Sequence, residues 1–259
     1  MNQPMEKIWV TANTKRVAEM LAHRNNCKHW VFLKGKTLKP TLQTIAPFHG
    51  RILNASELGR LMGISSAAAR HRIDLLTNQD LLRLLYPLQA GLKKRMVKSP
   101  KLYVRDTGLL LHLLGIQQAS EILESPLRDR ILEGYMIEKI ICRERARGEE
   151  RFFYYGGFSG KHIALILDRS SSRVGIRFRA AELLGPRDWT CLRSALRQGI
   201  IKRGVIVYTG SRSFIAAQDI LAFPIQRFLD CFELGTDPEA SLYFLLNTMM
   251  HCNLRYSHR

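Results

Sequence analysis

Acidic residues are scarce in this chain of 259 residues, which has 22 Asp and Glu against 40 Lys and Arg. The resulting net charge of +18 is typical of proteins that bind polyanions, most often nucleic acids. Five cysteines are scattered without the close spacing of a zinc site, so we expect free thiols. No apolar run is long enough to span a bilayer, and the N-terminus has no apolar signal core. We therefore expect a cytoplasmic protein without a membrane partner.

Three motifs that mark common enzyme classes are also missing. The chain has no GxxxxGK[ST] loop to cradle the phosphates of ATP, no GxGxxG fingerprint for a dinucleotide, and no GxSxG sequence around a serine. We therefore expect no cofactor and no ATP hydrolysis.

Residues 46–106 have the pattern of a winged helix-turn-helix. Asn54 predicts the N-cap of the helix ASELGRLM, and Gly63 ends that helix. Either Ser65 or Ser66 then caps a second helix, SAAARHRIDLLTN. The runs LLRLLYPL and MVKSPKLYV predict two strands, joined by a basic wing, QAGLKKR.

The second helix and the wing region carry the candidate nucleic-acid-binding residues. In a winged helix, the second helix lies in a DNA groove and the wing lies along the backbone. Contacts from basic side chains to phosphates give affinity but little sequence specificity. The candidates are Arg70, His71, Arg72, Lys93, Lys94, Arg95, Lys98 and Lys101. The alternative for the wing is a solvated basic hairpin without a partner.

Residues 107–230 predict an α/β domain. The segment DTGLLLHLLG predicts a connecting helix, and residues 127–147 predict a longer one. The strand-like runs RFFYYG, KHIALILD, RVGIRFR and GVIVYT follow, and the last two flank a helix near residues 189–198. This order favours helices packed on a mixed sheet. Residues 1–45 and 231–259 predict a basic helical extension and a helical tail.

The segment KSPKLYVRDTGLLLHLLGI, residues 98–116, resembles the junction segment of a family of bacterial and archaeal AAA+ ATPases. In that family an ATPase module is followed by a winged helix and by a PD-(D/E)XK nuclease-like domain of unknown function. The resemblance covers roughly residues 41–223. It implies an α/β fold made of these last two domains, and an ATPase module is missing from this chain.

The resemblance also implies that the nuclease-like site is degenerate. Family members carry Glu-x-Asp on one strand, Glu-x-Lys on the next and a Glu on the preceding helix, and such carboxylates would hold Mg²⁺. Here the Glu-x-Asp motif is replaced by a segment that begins at His162 and has Ala164 at the Asp position. In the Glu-x-Lys motif, Arg177 and Arg179 replace the Glu and the Lys. Only Glu133 on the helix remains. One carboxylate beside two guanidinium groups is a poor magnesium site, so we expect no metal.

Two other carboxylates are poor replacements. Asp168 lies two alternations past Ala164 on the same strand face, about 13 Å away at ~3.3 Å per residue. Glu138 points about 140° around the helix from Glu133. The basic side chains left at the site are those of Lys161, His162, Arg177 and Arg179. They could clasp a phosphate, or Arg177 could pair with Glu133 and fill the site.

The sequence therefore predicts a nucleic-acid-binding protein without catalytic activity, with duplex DNA as the expected partner. One alternative is a truncated product of an ATPase gene. Another is a protein-interaction scaffold, or an inhibitor of an active relative, built on an inactive nuclease fold. An active metal-dependent nuclease ranks last. Salt-dependent DNA binding separates the leading hypothesis from the scaffold, and a cleavage assay tests the nuclease.

Overall fold

The computed structural model describes residues 38–89, 98–145, 151–156, 162–169 and 172–234. These residues form eight α-helices and nine β-strands, so the predicted α/β class is confirmed. Within these ranges, no helix is both long and apolar enough to cross a membrane. Several predictions lie outside the described residues, namely those on Lys93, Lys94, Arg95, Lys161 and on most of both terminal segments.

Three helices begin the described chain: α1 (Leu38–Ile45), α2 (Ala55–Met62) and α3 (Ser66–Asn78). α1 continues into a turn of 3-10 helix at Ala46–Phe48. The buried faces of the three helices pack on one another through Leu42, Ile45, Leu58 and Ile73. The described part of the N-terminal segment therefore belongs to this core.

The sequence signals at the ends of α2 and α3 are confirmed. Asn54 accepts a hydrogen bond from the backbone N–H of Glu57, and Ser65 accepts one from that of Ala68. Gly63 ends α2 with φ of +66°, a left-handed conformation that strains any residue with a Cβ atom. These local signals fix the tight turn between the two helices.

A three-stranded antiparallel sheet completes the N-terminal unit, our name for residues 38–89 and 98–104. Its strands are β1 (Arg51–Ile52), β2 (Leu82–Leu85) and β3 (Lys101–Val104), in the order β1-β3-β2. β2 and β3 were predicted. β1 was not, because two residues are too few to show an alternating pattern.

Three helices lead from the N-terminal unit to the second sheet: α4 (Thr107–Leu113), α5 (Ala119–Glu124) and α6 (Arg128–Arg145). Asp106 caps α4 by accepting a hydrogen bond from the N–H of Leu109 at 2.7 Å. α4 and α6 match the predicted helices, whereas α5 was not predicted.

The second sheet has six strands in the order β4-β5-β6-β7-β9-β8. β4 to β6 are antiparallel, a crossover through α7 makes β7 parallel to β6, and β9 is parallel to β7. The first four strands and α7 were predicted, whereas β8 and β9 were not. The elements are β4 (Phe152–Gly156), β5 (His162–Arg169), β6 (Ser172–Arg179), α7 (Thr190–Arg197), β7 (Arg203–Tyr208), β8 (Phe214–Ala217), β9 (Ile220–Pro224) and α8 (Ile225–Leu234).

The two sheets are joined by backbone hydrogen bonds. The N–H of Leu88 donates to the carbonyl of Tyr154 at 2.7 Å, and the N–H of Tyr154 donates to the carbonyl of Tyr86 at 3.0 Å. One apolar cluster runs from the N-terminal unit through α6 to one face of the large sheet, and a second cluster lies between the other face and α7. β3, α6 and the start of β5 therefore meet in one place.

Candidate functional site: a basic cleft beside a buried carboxylate

The Glu133 carboxylate joins three elements at this meeting point. Its Oε1 accepts hydrogen bonds from the Lys101 ammonium at 2.9 Å and from the Tyr103 hydroxyl at 2.6 Å. Its Oε2 lies 3.2 Å from Nε2 of His162 at the start of β5. Lys101 and Tyr103 are alternate residues of β3, so both side chains point from the strand towards α6. We call these four residues the Glu133 cluster.

The environment holds Glu133 in its charged form. Burial alone would raise its pKa, but the Lys101 ammonium and the hydrogen bonds from His162 and Tyr103 keep that pKa well below the ordinary value. Burial, opposed by Glu133, lowers the pKa of Lys101. Burial and the neighbouring carboxylate raise the pKa of Tyr103 well above its usual value, so its hydroxyl remains a donor.

His49 packs against the Glu133 cluster, with its ring edge-on to that of Tyr103. Its Nε2 donates to the carbonyl oxygen of Arg130 at 3.1 Å, and its Nδ1 accepts from the N–H of Val104 at 3.1 Å. Burial lowers the pKa of His49 to about 4, so the ring is neutral at pH 7. A Cβ added to Gly134 would lie 2.2 Å from Nε2, so α6 reaches the ring only because residue 134 has no side chain.

A cleft of about 670 Å³ opens beside the Glu133 cluster, between the N-terminal unit, α6 and the edge of the large sheet. Basic residues outnumber acidic ones in its lining. They are Arg51, Arg70, Lys101, Arg130 and His162, and the one carboxylate among the lining residues belongs to Glu57.

The charges in this cleft are unevenly paired. Arg51 lies 3.5 Å from Glu57, and Arg70 lies 3.6 Å from Asp74 on the exposed surface of α3. Arg130, which is half-buried, has no carboxylate within ion-pair distance among the described residues. The cleft is therefore a concave surface with surplus positive charge, which favours an anionic ligand.

The predicted nucleic-acid-binding residues that the structure describes are only partly brought together. Arg70 lines the cleft, whereas His71 is exposed on α3 and Lys98 is exposed before β3. Arg72 turns towards α1, where it donates to the Thr41 hydroxyl at 3.3 Å. Arg51 and Arg130 were missed, because neither lies in an element with a basic pattern.

Lys101, a predicted nucleic-acid-binding residue, is buried beside the cleft. Its side chain is 5% exposed and forms an ion pair with Glu133. It lies on a strand between β1 and β2, where alternation directs it towards α6 rather than into solvent. Tyr103 was missed for the same reason, and no signal in the sequence pointed to His49.

Neither Arg177 nor Arg179 forms an ion pair with Glu133 among the described residues. Nη1 of Arg177 lies 2.9 Å from Sγ of Cys191 on α7, so it does not fill the carboxylate site. Arg179 donates to Asp129 at 2.7 Å. Val174, Ile176 and Phe178 of β6 lie in the apolar cluster with α6, and alternation therefore directs Arg177 to the opposite face. Ala164 is buried in the apolar cluster with α6.

The face assigned to Asp168 needs a correction. The register of β4 and β5 shifts between Phe153 and Tyr155, and Ala164 and Leu165, although consecutive, both belong to the cluster with α6. This bulge inverts the alternation, which puts Asp168 on the opposite face from Ala164, where it pairs with Arg173 at 2.7 Å. Glu138 points away from Glu133 as predicted.

The residues present do not fit a magnesium ion. Mg²⁺ is held by several hard oxygen ligands. Glu133 contributes one carboxylate, and both of its oxygens are already engaged by Lys101, Tyr103 and His162. In the described parts of the chain, no group of three or more His, Cys, Asp or Glu residues is placed to hold a metal ion.

Comparisons with known proteins give similarity without an assigned activity. A family model described as a domain of unknown function (DUF8612) matches residues 34–120. Uncharacterized proteins of Mycobacterium tuberculosis and Mycobacterium bovis are each 28% identical to this chain over 199 residues, or 77% of it. A crystal structure of the M. tuberculosis protein RV1404 covers 58% of this chain and 99% of its own, at 15% identity and a TM-score of 0.24. The chain spans 44% of the length of the two uncharacterized relatives that it is similar to.

Proposed function

We propose that this chain is a non-catalytic nucleic-acid-binding protein, with the basic cleft as part of its binding surface. The observation that carries the proposal is the concave arrangement of Arg51, Arg70 and Arg130 beside a single lining carboxylate. Arginine in such a position binds phosphate oxygens through its planar fork of donors. Arg70 belongs to α3, so the cleft continues onto the helix that we propose to be the DNA-recognition helix.

The arrangement of elements supports this proposal. In the N-terminal unit, α2, a tight turn, α3 and a small antiparallel sheet follow one another as in a winged helix. The succession of α6, three antiparallel strands, α7 and β7 agrees with the order implied by a PD-(D/E)XK-like domain. We propose that the chain derives from the C-terminal half of an AAA+ ATPase and that its nuclease-like site is degenerate.

A salt series on duplex DNA with hydroxyl ends tests the binding. We expect the logarithm of the binding constant to fall linearly with the logarithm of salt concentration. Arg70→Gln should reduce the slope by about 0.9, the effect of one phosphate contact. Arg60→Gln is the matched control, because Arg60 is exposed on α2 and does not line the cleft. Equal affinity and slope for wild type and Arg70→Gln would show that the cleft is not part of the DNA-binding surface.

Activity assays test the absence of catalysis. We expect no ATP hydrolysis, because the sequence has no phosphate-cradling loop. We expect no cleavage of DNA with Mg²⁺ or Mn²⁺, because Glu133 already uses both oxygens within the protein. DNA cleavage that disappears in Glu133→Ala would contradict the proposal and favour an active nuclease.

A protein-interaction scaffold is the second candidate, supported by exposed apolar side chains on the N-terminal unit. Leu61 on α2 is 56% exposed and Leu75 on α3 is 46% exposed. A contiguous exposed apolar patch is typical of protein interfaces, and these leucines are the candidates for one. Absence of DNA binding even at low salt would favour this candidate over the first.

A further inference from the structure

We propose that the cleft is a binding site for a phosphomonoester group. This inference rests on the proposed function, under which the group is the terminal phosphate of a nucleic-acid strand. The site would thus distinguish a strand that ends in phosphate from one that ends in a hydroxyl group.

The volume of the cleft fits an end group better than a continuous duplex. About 670 Å³ lies within the range of pockets that enclose small ligands, roughly 300–1,000 Å³. A nucleotide-sized group can enter such a space, whereas the side of a duplex can contact only its rim. Arg51 and Arg70 come from the N-terminal unit and Arg130 from α6, so an inserted group meets cations from more than one side.

The surplus charge fits a dianion. A phosphomonoester carries a charge of about −1.5 to −2 at pH 7, whereas a phosphodiester within a strand carries about −1. In the lining, Lys101 is offset by Glu133 and Arg51 by Glu57. Arg130 has no such partner among the described residues, so it supplies the charge that a terminal phosphate would neutralise.

Arg130 is held in position before any ligand binds. Its backbone carbonyl accepts the hydrogen bond from buried His49. Its side-chain stem passes over Gly50, where an added Cβ would lie 3.2 Å from both Cβ and Cγ of Arg130. Gly50 has φ of +73°, a conformation that further favours glycine. Ordering the stem in this way lowers the entropic cost of fixing the guanidinium on a phosphate.

The Tyr154 ring in the lining is poorly suited to stacking on a base. The Tyr154 ring is 1% exposed, and the Lys101 ammonium lies 5.7 Å from its centroid. Its hydroxyl donates to the carbonyl of Ser99 at 2.7 Å. Stacking of a base requires an exposed aromatic face. We therefore expect recognition of the phosphate to be largely independent of sequence.

Fluorescence anisotropy tests the inference with single-stranded oligonucleotides of one sequence that carry a 5′-phosphate, a 3′-phosphate or only hydroxyl ends. We expect wild type to bind at least one phosphorylated form about ten-fold more tightly than the hydroxyl form, as for a charge-assisted hydrogen bond. Arg130→Gln should abolish this ratio. Arg197→Gln should keep it, because Arg197 is exposed on α7 and does not line the cleft. Arg51→Gln, a second variant at an exposed position, should reduce the ratio if Arg130→Gln does not fold.

The possible outcomes separate the two proposals. Equal binding of all three oligonucleotides, together with salt-dependent binding of hydroxyl-ended duplex DNA, overturns the phosphomonoester site and leaves nucleic-acid binding in place. A ratio that survives both Arg130→Gln and Arg51→Gln also overturns it. Competition by a free nucleoside monophosphate, without a preference among the oligonucleotides, supports the phosphate chemistry and assigns it to a free nucleotide. Failure of every nucleic acid to bind refutes the proposed function itself.

Discussion

Two carboxylates on α6, five residues apart, contact neighbouring elements in different ways. Glu133 is 9% exposed and is held by a lysine, a tyrosine and a histidine. Glu138 is 17% exposed and is held by Arg83 and Arg105 at 2.6 Å each. Arginine stays protonated in proteins, whereas lysine, tyrosine and histidine titrate. Glu138 thus belongs to an ion-pair network with two arginines, and Glu133 belongs to a mixed cluster beside a cleft.

Glu133→Ala should have the largest effect on stability. Removing one partner of a buried pair leaves the other charge uncompensated, which costs about 3–5 kcal/mol. Lys101, at 5% side-chain exposure, would be that charge. Chemical denaturation measures the loss, with Glu124→Ala on the surface of α5 as the control. A loss of stability smaller than that of Glu138→Ala would contradict the expected ranking of the two carboxylates.

The double variant Glu133→Leu with Lys101→Met sharpens the same comparison. Replacing both members of a buried pair by apolar residues is often neutral or stabilising. We expect the double variant to be more stable than Glu133→Ala, although Tyr103 and His162 lose an acceptor. A double variant no more stable than Glu133→Ala would show that the tyrosine and histidine, not the lysine, dominate the cluster.

Mild acid should lower the free energy of unfolding through His49, which lies beside Glu133, before it affects the ion pairs of Glu138. The folded pKa of His49 is about 4, below its ordinary 6.5, so the unfolded chain takes up the proton first. The free energy of unfolding should therefore fall as pH decreases from about 6.5 to about 4, by about 3 kcal/mol in total. Glu133 and Glu138, whose pKa values are lowered, add losses only as pH falls below their ordinary 4.5.

Denaturation across this pH range checks the assignment to His49. His49→Asn should flatten the slope between pH 6.5 and 4.5, whereas Glu138→Ala should keep it. An unchanged slope in His49→Asn would place the titrating group elsewhere.

Glu138→Ala should cost about 2 kcal/mol, less than the change at Glu133. It leaves Arg83 without its carboxylate at 8% exposure, but Arg105 is 21% exposed and retains Asp80. Water and a second carboxylate thus compensate part of the loss. Thermal melts of both variants in one buffer rank the two sites, and a larger loss at Glu138 would reverse the ranking.

Tyr103→Phe should have the smallest effect, about 1.5 kcal/mol, since it removes one hydrogen bond to a charged acceptor and leaves the ring in place. Tyr86→Phe is the matched control, because Tyr86 is 50% exposed. Equal stabilities for Tyr103→Phe and wild type would mean that Lys101 and His162 alone satisfy Glu133.

The local features of the fold could be predicted because their causes are local. Asn54, Gly63 and Ser65 set the limits of α2 and α3 through caps and a left-handed turn, which involve neighbours only. The long helix α6 and strands β4 to β7 follow from apolar periodicity. The position of Glu133 on α6 followed from a family resemblance and not from periodicity.

The composition of the candidate site could not be predicted from the sequence, because its contacts join residues far apart in the chain. A bulge in β5 inverted the strand faces beyond Ala164, and the face of β6 directed Arg177 to Cys191 rather than to Glu133. Lys101 looked like part of a basic surface until strand pairing placed it against α6.

The sequence by itself determined the basic charge, the α/β class and the helix and strand signals, since these depend on composition and on interactions between near neighbours. Only the tertiary structure decided which charges meet. Pairing of β3 with β1 and β2 brought Lys101 to Glu133, and the hydrogen bonds of Tyr154 with Tyr86 and Leu88 joined the sheets beside the cleft. A side chain's partner and its burial depend on packing between elements, which no local pattern encodes.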